Sequence, residues 1–255
     1  MLSDLEIQAY YDTLDMPVAN QVLFDREYLI PLHKRREEFA MAKWRKALRA
    51  LRWYRLVPFV RAVFVSGSLS INNTDELSDF DLIIVAKHGR IWLVRAMTLI
   101  LFQMLGVLRR HIHHAGHATD KICPNHYITD RSLAIPFQDV YTAQLYANLA
   151  PVIVRDLALI ENFKKENDWV TEYFPWDMDM SKILPPGNLY TVFEWILGNH
   201  LEWVAKKYQL YRIEHNRITP VPGGHLICND DMLAFHSGSS AGKIIEEYQA
   251  NMRKL

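Results

Sequence analysis

The sequence predicts an α+β fold, with a small mixed β-sheet, flanking helices, a helical N-terminal arm and a helical C-terminal domain. The apolar, β-branched runs Val60–Ser66 and Phe80–Ala86 have the length and composition of buried strands. Longer segments on both sides carry apolar residues at helical spacing. We place the N-terminal arm at residues 1–56, the sheet-containing core at 57–135 and the C-terminal domain at 136–255.

The main helix of the N-terminal arm is predicted to run from about Arg26 to Trp53. One apolar face is expected to consist of Met41, Trp44, Leu48 and Leu51. Between Lys34 and Arg55 the chain has nine Lys or Arg residues and only two Glu. This excess is typical of a solvated helix surface, and the alternative is a cationic wall beside a phosphate or RNA substrate.

The rest of the core is predicted to contain a helix from Ile91 to about Arg110 and a strand from Lys121 to Thr129. The window 91–108 is the most apolar of the chain, but charged and polar residues interrupt it. A buried helix is therefore favoured over a membrane-associated one, and no membrane is expected as a partner. Pro124 in the third strand indicates an edge position or a bulge.

The region after residue 136 is predicted to be helical. Asp139 is placed to cap a helix that runs to about Arg155. Clusters of Pro and Gly then separate the remaining predicted helices, which are 161–173, 188–213 and 241–252.

The composition excludes several classes of protein. Lys+Arg and Asp+Glu both number 29, so net charge provides no general attraction to nucleic acid or membrane. The two cysteines are too few for a disulfide framework and favour a reducing compartment. The first residues, MLSDLEIQAYYD, lack the basic and apolar regions of a signal peptide. A cytoplasmic location is expected.

Small and acidic residues stand where the two predicted strands end and begin. Gly67 and Ser68 follow the first strand, and Ser78, Asp79 and Asp81 lie at the start of the second. Residues two apart in a strand point to the same side, about 6–7 Å apart at Cα, so the two carboxylates can bind one or two Mg²⁺ ions. A glycine turn lets a phosphate approach the backbone. The pattern predicts a site for a metal-bound triphosphate.

The run GSLSINNTDELSDFDL resembles the signature of the polymerase-β-like nucleotidyltransferase superfamily, especially its minimal and antibiotic-modifying members. The resemblance implies that Asp79 and Asp81 are catalytic and hold two Mg²⁺ ions. It implies that Gly67, Ser68 and Ser78 bind the nucleoside triphosphate. The implied reaction is nucleotidyl transfer to a hydroxyl-bearing acceptor (a small molecule, a protein or an RNA end), with release of pyrophosphate.

Active members of the superfamily carry a third carboxylate on a neighbouring strand. The corresponding strand here has Asn125 in its middle, with Asp120 and Asp130 at its flanks. An asparagine can ligate a metal through its carbonyl oxygen but cannot accept a proton as a base. The loop after Ser68 also lacks the Arg-Gly of many minimal members, which indicates a divergent subfamily. The alternative function is a non-catalytic nucleotide- or partner-binding module of antitoxin-like or regulatory type.

A histidine-rich stretch precedes the third strand. The residues that invite comparison with a zinc site are His111, His113, His114, His117, Cys123 and His126. Their spacing matches no structural zinc pattern, so a polar loop is favoured. The alternative is that one imidazole contacts a phosphate or acts as a base in place of the third acid. Lys87 and Arg95 are further candidates for contact with phosphate.

Overall fold

The computed structural model describes residues 30–109, 119–185, 194, 199–215 and 225–236. The strands in these residues are β1 (Val60–Ser66), β2 (Phe80–Ala86), β3 (Ile122–Thr129), β4 (Ala150–Val154), β5 (His225–Cys228) and β6 (Met232–His236). The α-helices are α1 (Ile30–Leu51), α2 (Ile91–Met104), α3 (Val140–Ala147), α4 (Ala158–Glu166) and α5 (Asn199–Glu214).

All six strands form one mixed sheet in the order β4-β1-β2-β3-β6-β5. Strands β2 and β3 are parallel, and every other neighbouring pair is antiparallel. The predicted α+β class is therefore confirmed. In the register of the central strands, Ser66 lies beside Asp81, and Asp81 lies beside Cys123.

Helices α1 and α2 cover one face of the sheet. Trp44 and Leu51 of α1 are buried there, as predicted, whereas Met41 is 62% exposed and does not belong to the apolar face. The predicted start of this helix near Arg26 lies outside the described residues. Helix α2 contributes Trp92 and Phe102 to the same core, in agreement with the predicted buried helix.

Helix α5 packs on α2 and fixes its start. The Glu202 carboxylate accepts hydrogen bonds from the backbone N–H groups of Trp92 and Leu93, at 3.0 and 2.8 Å. These groups would otherwise lack partners within the helix. Within the described ranges, no helix combines the length and the apolar character that crossing a membrane requires.

Helices α3 and α4 cover the opposite face of the sheet. Phe64, Ile83 and Ile128 project from the strands into this second core, where Tyr146 of α3 and Phe163 of α4 meet them. Asp139 caps α3 as predicted, because its carboxylate accepts a hydrogen bond from Thr142 N at 2.8 Å. Asp81 has the same parity along β2 as Ile83 and so lies on this face, at the end of the apolar core.

The bulge that Pro124 predicted is present, whereas the edge position is wrong. Strand β3 lies between β2 and β6 in the sheet. Its register with β2 shifts between the pairs Asp81–Cys123 and Ile83–His126. One residue of β2 therefore opposes two of β3, which are Pro124 and Asn125. Strand β6 pairs only from His126 onward, so Pro124 lies beyond that pairing.

The prediction of a purely helical region after residue 136 is wrong. Helix α3 ends at Ala147, and Ala150–Val154 forms an edge strand instead of the last turns of a helix reaching Arg155. The sequence APVIV is apolar and too short for its periodicity to distinguish a strand from a buried helix. Its Pro151 fits an edge strand, since proline donates no ladder hydrogen bond. Strands β5 and β6 extend the same sheet.

The remaining predicted helices differ in their bounds. Helix α4 begins at Ala158, three residues before the helix predicted over 161–173, and ends at Glu166, and a short 3₁₀ helix, Asp168–Glu172, follows it. Helix α5 overlaps the helix predicted over 188–213 from Asn199 onward and ends one residue beyond it, at Glu214. The predicted helix 241–252 lies outside the described residues.

Candidate functional site

The candidate site lies where β1 ends and where β2 and β3 begin. Ser66, Asp81 and Cys123 stand side by side across these three strands. Residues in register on neighbouring strands point to the same face, so Asp81 and Cys123 project together. Asp79 precedes β2 by one residue and has the same parity as Asp81. The sheet therefore brings both predicted acids and a cysteine to one place.

A tight turn follows β1 and lies against Asp81. Gly67 has a φ of +73°, a left-handed conformation that favours glycine. A β-carbon on Gly67 would lie 3.0 Å from Oδ2 of Asp81. Hydrogen bonds hold the turn, from Ser70 Oγ to Gly67 O and from Asn73 N to Ser68 O, both at 2.9 Å. Gly67 thus lies beside Asp81, and Ser68 follows it in the same turn.

The two aspartates and the cysteine form a compact group, which we call the Asp–Asp–Cys cluster (Asp79, Asp81 and Cys123). One ligand atom of each residue lies within 4.8 Å of the other two. Within the described ranges, this is the only group of three or more His, Cys, Asp or Glu that is close enough to share a metal ion. All three residues are partly buried.

Arg109 provides a positive charge at the Asp–Asp–Cys cluster. Its guanidinium NH1 donates to Oδ2 of Asp79 at 2.5 Å and lies 3.8 Å from Sγ of Cys123. The backbone is anchored beside β3, because Arg109 N donates to Ile122 O at 2.9 Å. Although burial opposes its charge, the neighbouring Asp79 and Cys123 raise the pKa of Arg109.

The electrostatics of the cluster favour a bound cation. Burial, and then the negative charge of Asp79, raise the pKa of Asp81 to about 7, although Arg109 acts in the opposite direction. Burial and both carboxylates also raise the pKa of the Cys123 thiol. Ionised carboxylates in such close contact are mutually repulsive, and a divalent cation between them would relieve that repulsion.

Asn125, the residue that the sequence indicates for the third-acid position, lies beside Asp81 of the cluster. Its Nδ2 donates to Oδ1 of Asp81 across a long distance of 3.5 Å. Tyr141, from the first turn of α3, is also nearby. Burial, and then the charges of Asp81 and Asp139, raise the pKa of Tyr141. The side of the cluster towards α3 is therefore polar but has an amide in place of a carboxylate.

The two acids that flank β3 are engaged elsewhere. Asp120 forms ion pairs with Lys43, at 2.9 Å, and with Lys46. Burial acts to raise the pKa of Asp120, but hydrogen bonds from both lysines outweigh this effect and lower the pKa. Asp130, at the far end of β3, accepts a hydrogen bond from His88 N at 2.8 Å. Neither residue takes the place of a third acid in the cluster.

Ser78 closes the loop that leads into Asp79. Its hydroxyl donates to Oδ1 of Asp75 at 2.7 Å and accepts a hydrogen bond from Asp75 N at 3.3 Å. The hydrogen bond from Ser78 is the main reason that the pKa of Asp75 is lowered. In this arrangement Ser78 shapes the loop, and its hydroxyl is not directed at the cluster.

The N-terminal basic helix contacts the same loop. Lys43 is only 3% exposed, and its Nζ donates to the carbonyl oxygens of Glu76 and Ser78 at 3.0 and 2.7 Å. Arg36 NH1 donates to Asn73 Oδ1 at 3.0 Å, just beyond the turn. Lys43 and Arg36 hold the loop in place, which a purely solvated surface does not predict. Most of the other basic residues in this segment are exposed, as predicted for a solvated helix surface; these are Lys34, Arg35, Arg45, Lys46, Arg49 and Arg52.

The other candidates lie away from the cluster or outside the described residues. Arg95 donates to Gln209 on α5 and stacks over Phe235, and Lys87 follows the far end of β2. His126 is buried beside the Tyr146 hydroxyl, 3.2 Å away. The histidines from His111 to His117 lie outside the described residues.

Sequence reasoning missed Arg109 and Tyr141 of the site, and it grouped Cys123 with the neighbouring histidines instead of with the two acids. Only the register of β3 against β2 places Cys123 beside Asp81, and a single sequence does not specify that register. Arg109 comes after α2 and reaches the acids because its backbone bonds to β3. Tyr141 follows the α3 cap by two residues, but the helix must first be placed over the sheet.

Comparison with known proteins identifies no family. No family model matches the chain, and no curated protein or solved structure matches it either.

Proposed function

We propose that this protein transfers a nucleotidyl group from a nucleoside triphosphate to a hydroxyl-bearing acceptor, in a Mg²⁺-dependent reaction that releases pyrophosphate. The observation that carries the proposal is the contact between the Gly67 turn and Asp81, within the group that also contains Asp79. A turn suited to phosphate and a pair of carboxylates suited to a divalent cation thus share one edge of the sheet. This arrangement supports the resemblance of the sequence motif to polymerase-β-like nucleotidyltransferases.

The residues present fit a divalent cation. Asp79 and Asp81 offer carboxylate oxygens, which Mg²⁺ prefers. The pKa of Asp81 is raised first by burial and then by the negative charge of Asp79, and a bound cation would offset that charge. When bound, Mg²⁺ would polarise the acceptor hydroxyl and neutralise charge on the α-phosphate and the departing pyrophosphate.

The protein groups divide the remaining tasks. The backbone N–H groups and the Ser68 hydroxyl of the turn would hold the outer phosphates of the nucleotide. Arg109 would provide a positive charge to the triphosphate once a cation takes over Asp79. Asn125 cannot accept a proton, so the proton of the acceptor hydroxyl would pass to a carboxylate oxygen of Asp79 or Asp81.

Calorimetric titration with each nucleoside triphosphate tests the proposal. We expect binding to the wild type that requires a divalent cation and that Asp79→Asn and Asp81→Asn both abolish. Asp168→Asn is the matched control, because Asp168 is an exposed carboxylate outside the cluster. Binding that is independent of the cation, or that both cluster variants retain, would show that the site is wrongly assigned.

A second candidate function is a nucleotide- or partner-binding module without turnover. Asn125 favours it, because the third position of the site has an amide that cannot act as a base. The two functions differ in their product. Cation-dependent nucleotide binding with no pyrophosphate release would select the binding module, whereas stoichiometric pyrophosphate release would select the transferase.

The proposed setting is the cytoplasm, where the free thiols of Cys123 and Cys228 would remain reduced. The proposed acceptor is a small molecule, a protein side chain or an RNA end.

A further inference from the structure

We propose that Cys123 is a third ligand of the cation site, so that one position of the site takes a thiophilic divalent cation, such as Zn²⁺ or Co²⁺, in preference to Mg²⁺. This inference rests on the proposed function for the role of the two acids. It adds a ligand and a metal preference that the sequence motif does not contain.

The geometry of the Asp–Asp–Cys cluster suits a single ion. Around a tetrahedral zinc ion, with bond lengths of about 2.0–2.3 Å, neighbouring ligand atoms lie about 3.3–3.8 Å apart. The ligand atoms of Asp79, Asp81 and Cys123 all lie within 4.8 Å of one another, so side-chain movements of about 1 Å bring them to the spacing of ligands of one ion. The strands provide this arrangement, because Asp81 and Cys123 are direct neighbours in the parallel register of β2 and β3.

The contacts of Arg109 identify the place that the cation would take. The guanidinium lies against two of the three members, with NH1 at 2.5 Å from Asp79 Oδ2 and at 3.8 Å from Cys123 Sγ. The positively charged guanidinium of Arg109 thus already interacts with both the Asp79 oxygen and the Cys123 sulfur. The Arg109 side chain is 23% exposed, so it has a solvent-facing side towards which it can turn when a cation binds.

The ligand chemistry decides which cation fits. Mg²⁺ takes oxygen ligands almost exclusively, whereas thiolate sulfur selects zinc and related metals. Two carboxylates and a thiolate therefore form a mixed site in which Cys123 favours Zn²⁺ or Co²⁺ over Mg²⁺. The thiol loses its proton to solvent when it binds the metal.

Cobalt(II) titration of the metal-free protein, without nucleotide, tests this inference. A thiolate bound to Co²⁺ gives a near-ultraviolet charge-transfer band, which histidine and carboxylate ligands do not give. The chain has only two cysteines, so Cys228→Ser is the matched control for Cys123→Ser. We expect the band in the wild type and in Cys228→Ser at one equivalent of cobalt, and its loss in Cys123→Ser.

The affinities provide a second readout. Removing a direct ligand should weaken Zn²⁺ binding by at least the roughly tenfold that loss of an outer-shell partner costs. Cys123→Ser should therefore lose Zn²⁺ affinity while its Mg²⁺ affinity is unchanged. Asp79→Asn and Asp81→Asn should each weaken Co²⁺ binding. Circular dichroism of each variant checks that it is folded like the wild type. Cys123→Ala is a second variant that also removes the thiol, in case Cys123→Ser does not fold.

Several results would overturn the inference. These are a wild type without the band, a band that persists in Cys123→Ser, and cobalt affinity that neither acid variant changes. Displacement of Co²⁺ by Mg²⁺ as readily as by Zn²⁺ would overturn the metal preference.

The experiment distinguishes failure of this inference from failure of the proposed function, because the band is measured without nucleotide. A protein that shows the band but binds no nucleotide retains the cation site, whereas Mg²⁺-dependent transfer without the band refutes only the role of Cys123.

Discussion

Gly67 and Asp81 are so close that a β-carbon on the glycine would lie 3.0 Å from Oδ2 of the aspartate. The turn that would approach a phosphate and the acid that would hold a cation are therefore in direct contact. A change at either residue should alter both binding functions of the site.

The substitution Gly67→Ala should abolish cation-dependent nucleotide binding and destabilise the fold. A left-handed φ costs a non-glycine residue about 1–2 kcal/mol, and the new methyl group would displace the Asp81 carboxylate. Gly106→Ala is the matched control, because Gly106 has a similar φ of +68° with nothing within 4 Å of its would-be β-carbon. Urea unfolding and calorimetry measure both effects. Equal loss of binding in the two variants would contradict this explanation.

Lys43 and Lys46 bind the same carboxylate but should differ in their contributions to stability. Lys43 is buried, and its ammonium also satisfies two carbonyl oxygens of the loop before Asp79, whereas the Lys46 side chain is 57% exposed. Lys43→Met should lower the free energy of unfolding by about 2 kcal/mol, because it leaves buried polar groups unpaired. Lys46→Met should lower it by less than about 1 kcal/mol. Denaturant unfolding measures the free energy of unfolding of both variants. Equal losses of stability in Lys43→Met and Lys46→Met would contradict the special role of Lys43.

Replacing Arg109 should increase the affinity for divalent cations in the absence of nucleotide. Arg109→Met removes the positive charge that lies beside Asp79. The metal-free protein should therefore become less stable, and added Mn²⁺ should stabilise the variant more than it stabilises the wild type. We expect about a tenfold gain in Mn²⁺ affinity, equivalent to about 1.4 kcal/mol. Thermal unfolding over a range of Mn²⁺ concentrations measures it, with the exposed Arg45→Met as control. Unchanged or weaker Mn²⁺ binding in Arg109→Met would mean that the arginine does not compete for this position.

Asp81 should make the metal-free protein less stable as the pH rises from about 4 to about 7. Its pKa rises from 3.8 to about 7 on folding, chiefly through burial and the charge of Asp79. In this window the folded state binds more protons than the unfolded state, so stability falls with increasing pH. Asp81→Asn lacks this titration, and its stability relative to the wild type should rise through the window and then level off. Thermal unfolding at a series of pH values tests this, and a constant difference would refute it.

Local sequence patterns predicted the parts of the fold that depend on local chemistry. Strands β1 and β2 are continuous apolar, β-branched runs, and the turn and acids between them follow from their spacing along the chain. Strand β4 was missed because its short apolar run follows directly on α3, and only pairing with β1 distinguishes it from a continued helix.

The missed parts of the site depend on contacts between distant segments. Cys123 reaches Asp81 through the parallel register of two strands, and Arg109 reaches Asp79 across 30 positions of the chain. The role of Lys43 depends on the packing of α1 against the loop before Asp79 and on an ion pair with Asp120, which is 77 positions further along the chain. Such relationships require the folded sheet, and a single sequence does not specify them.

The most direct test of the central claim is transfer of a labelled α-phosphate from a nucleoside triphosphate, with Mg²⁺ or Mn²⁺, to acceptors from a cell extract. The extract is fractionated into small molecules, proteins and RNA. The wild type and Asp168→Asn should label an acceptor, while Asp79→Asn and Asp81→Asn, though folded, should reduce labelling to background. Labelling that persists in both cluster variants, or a wild type that binds the nucleotide and transfers nothing, would contradict the proposed nucleotidyl transfer at Asp79 and Asp81.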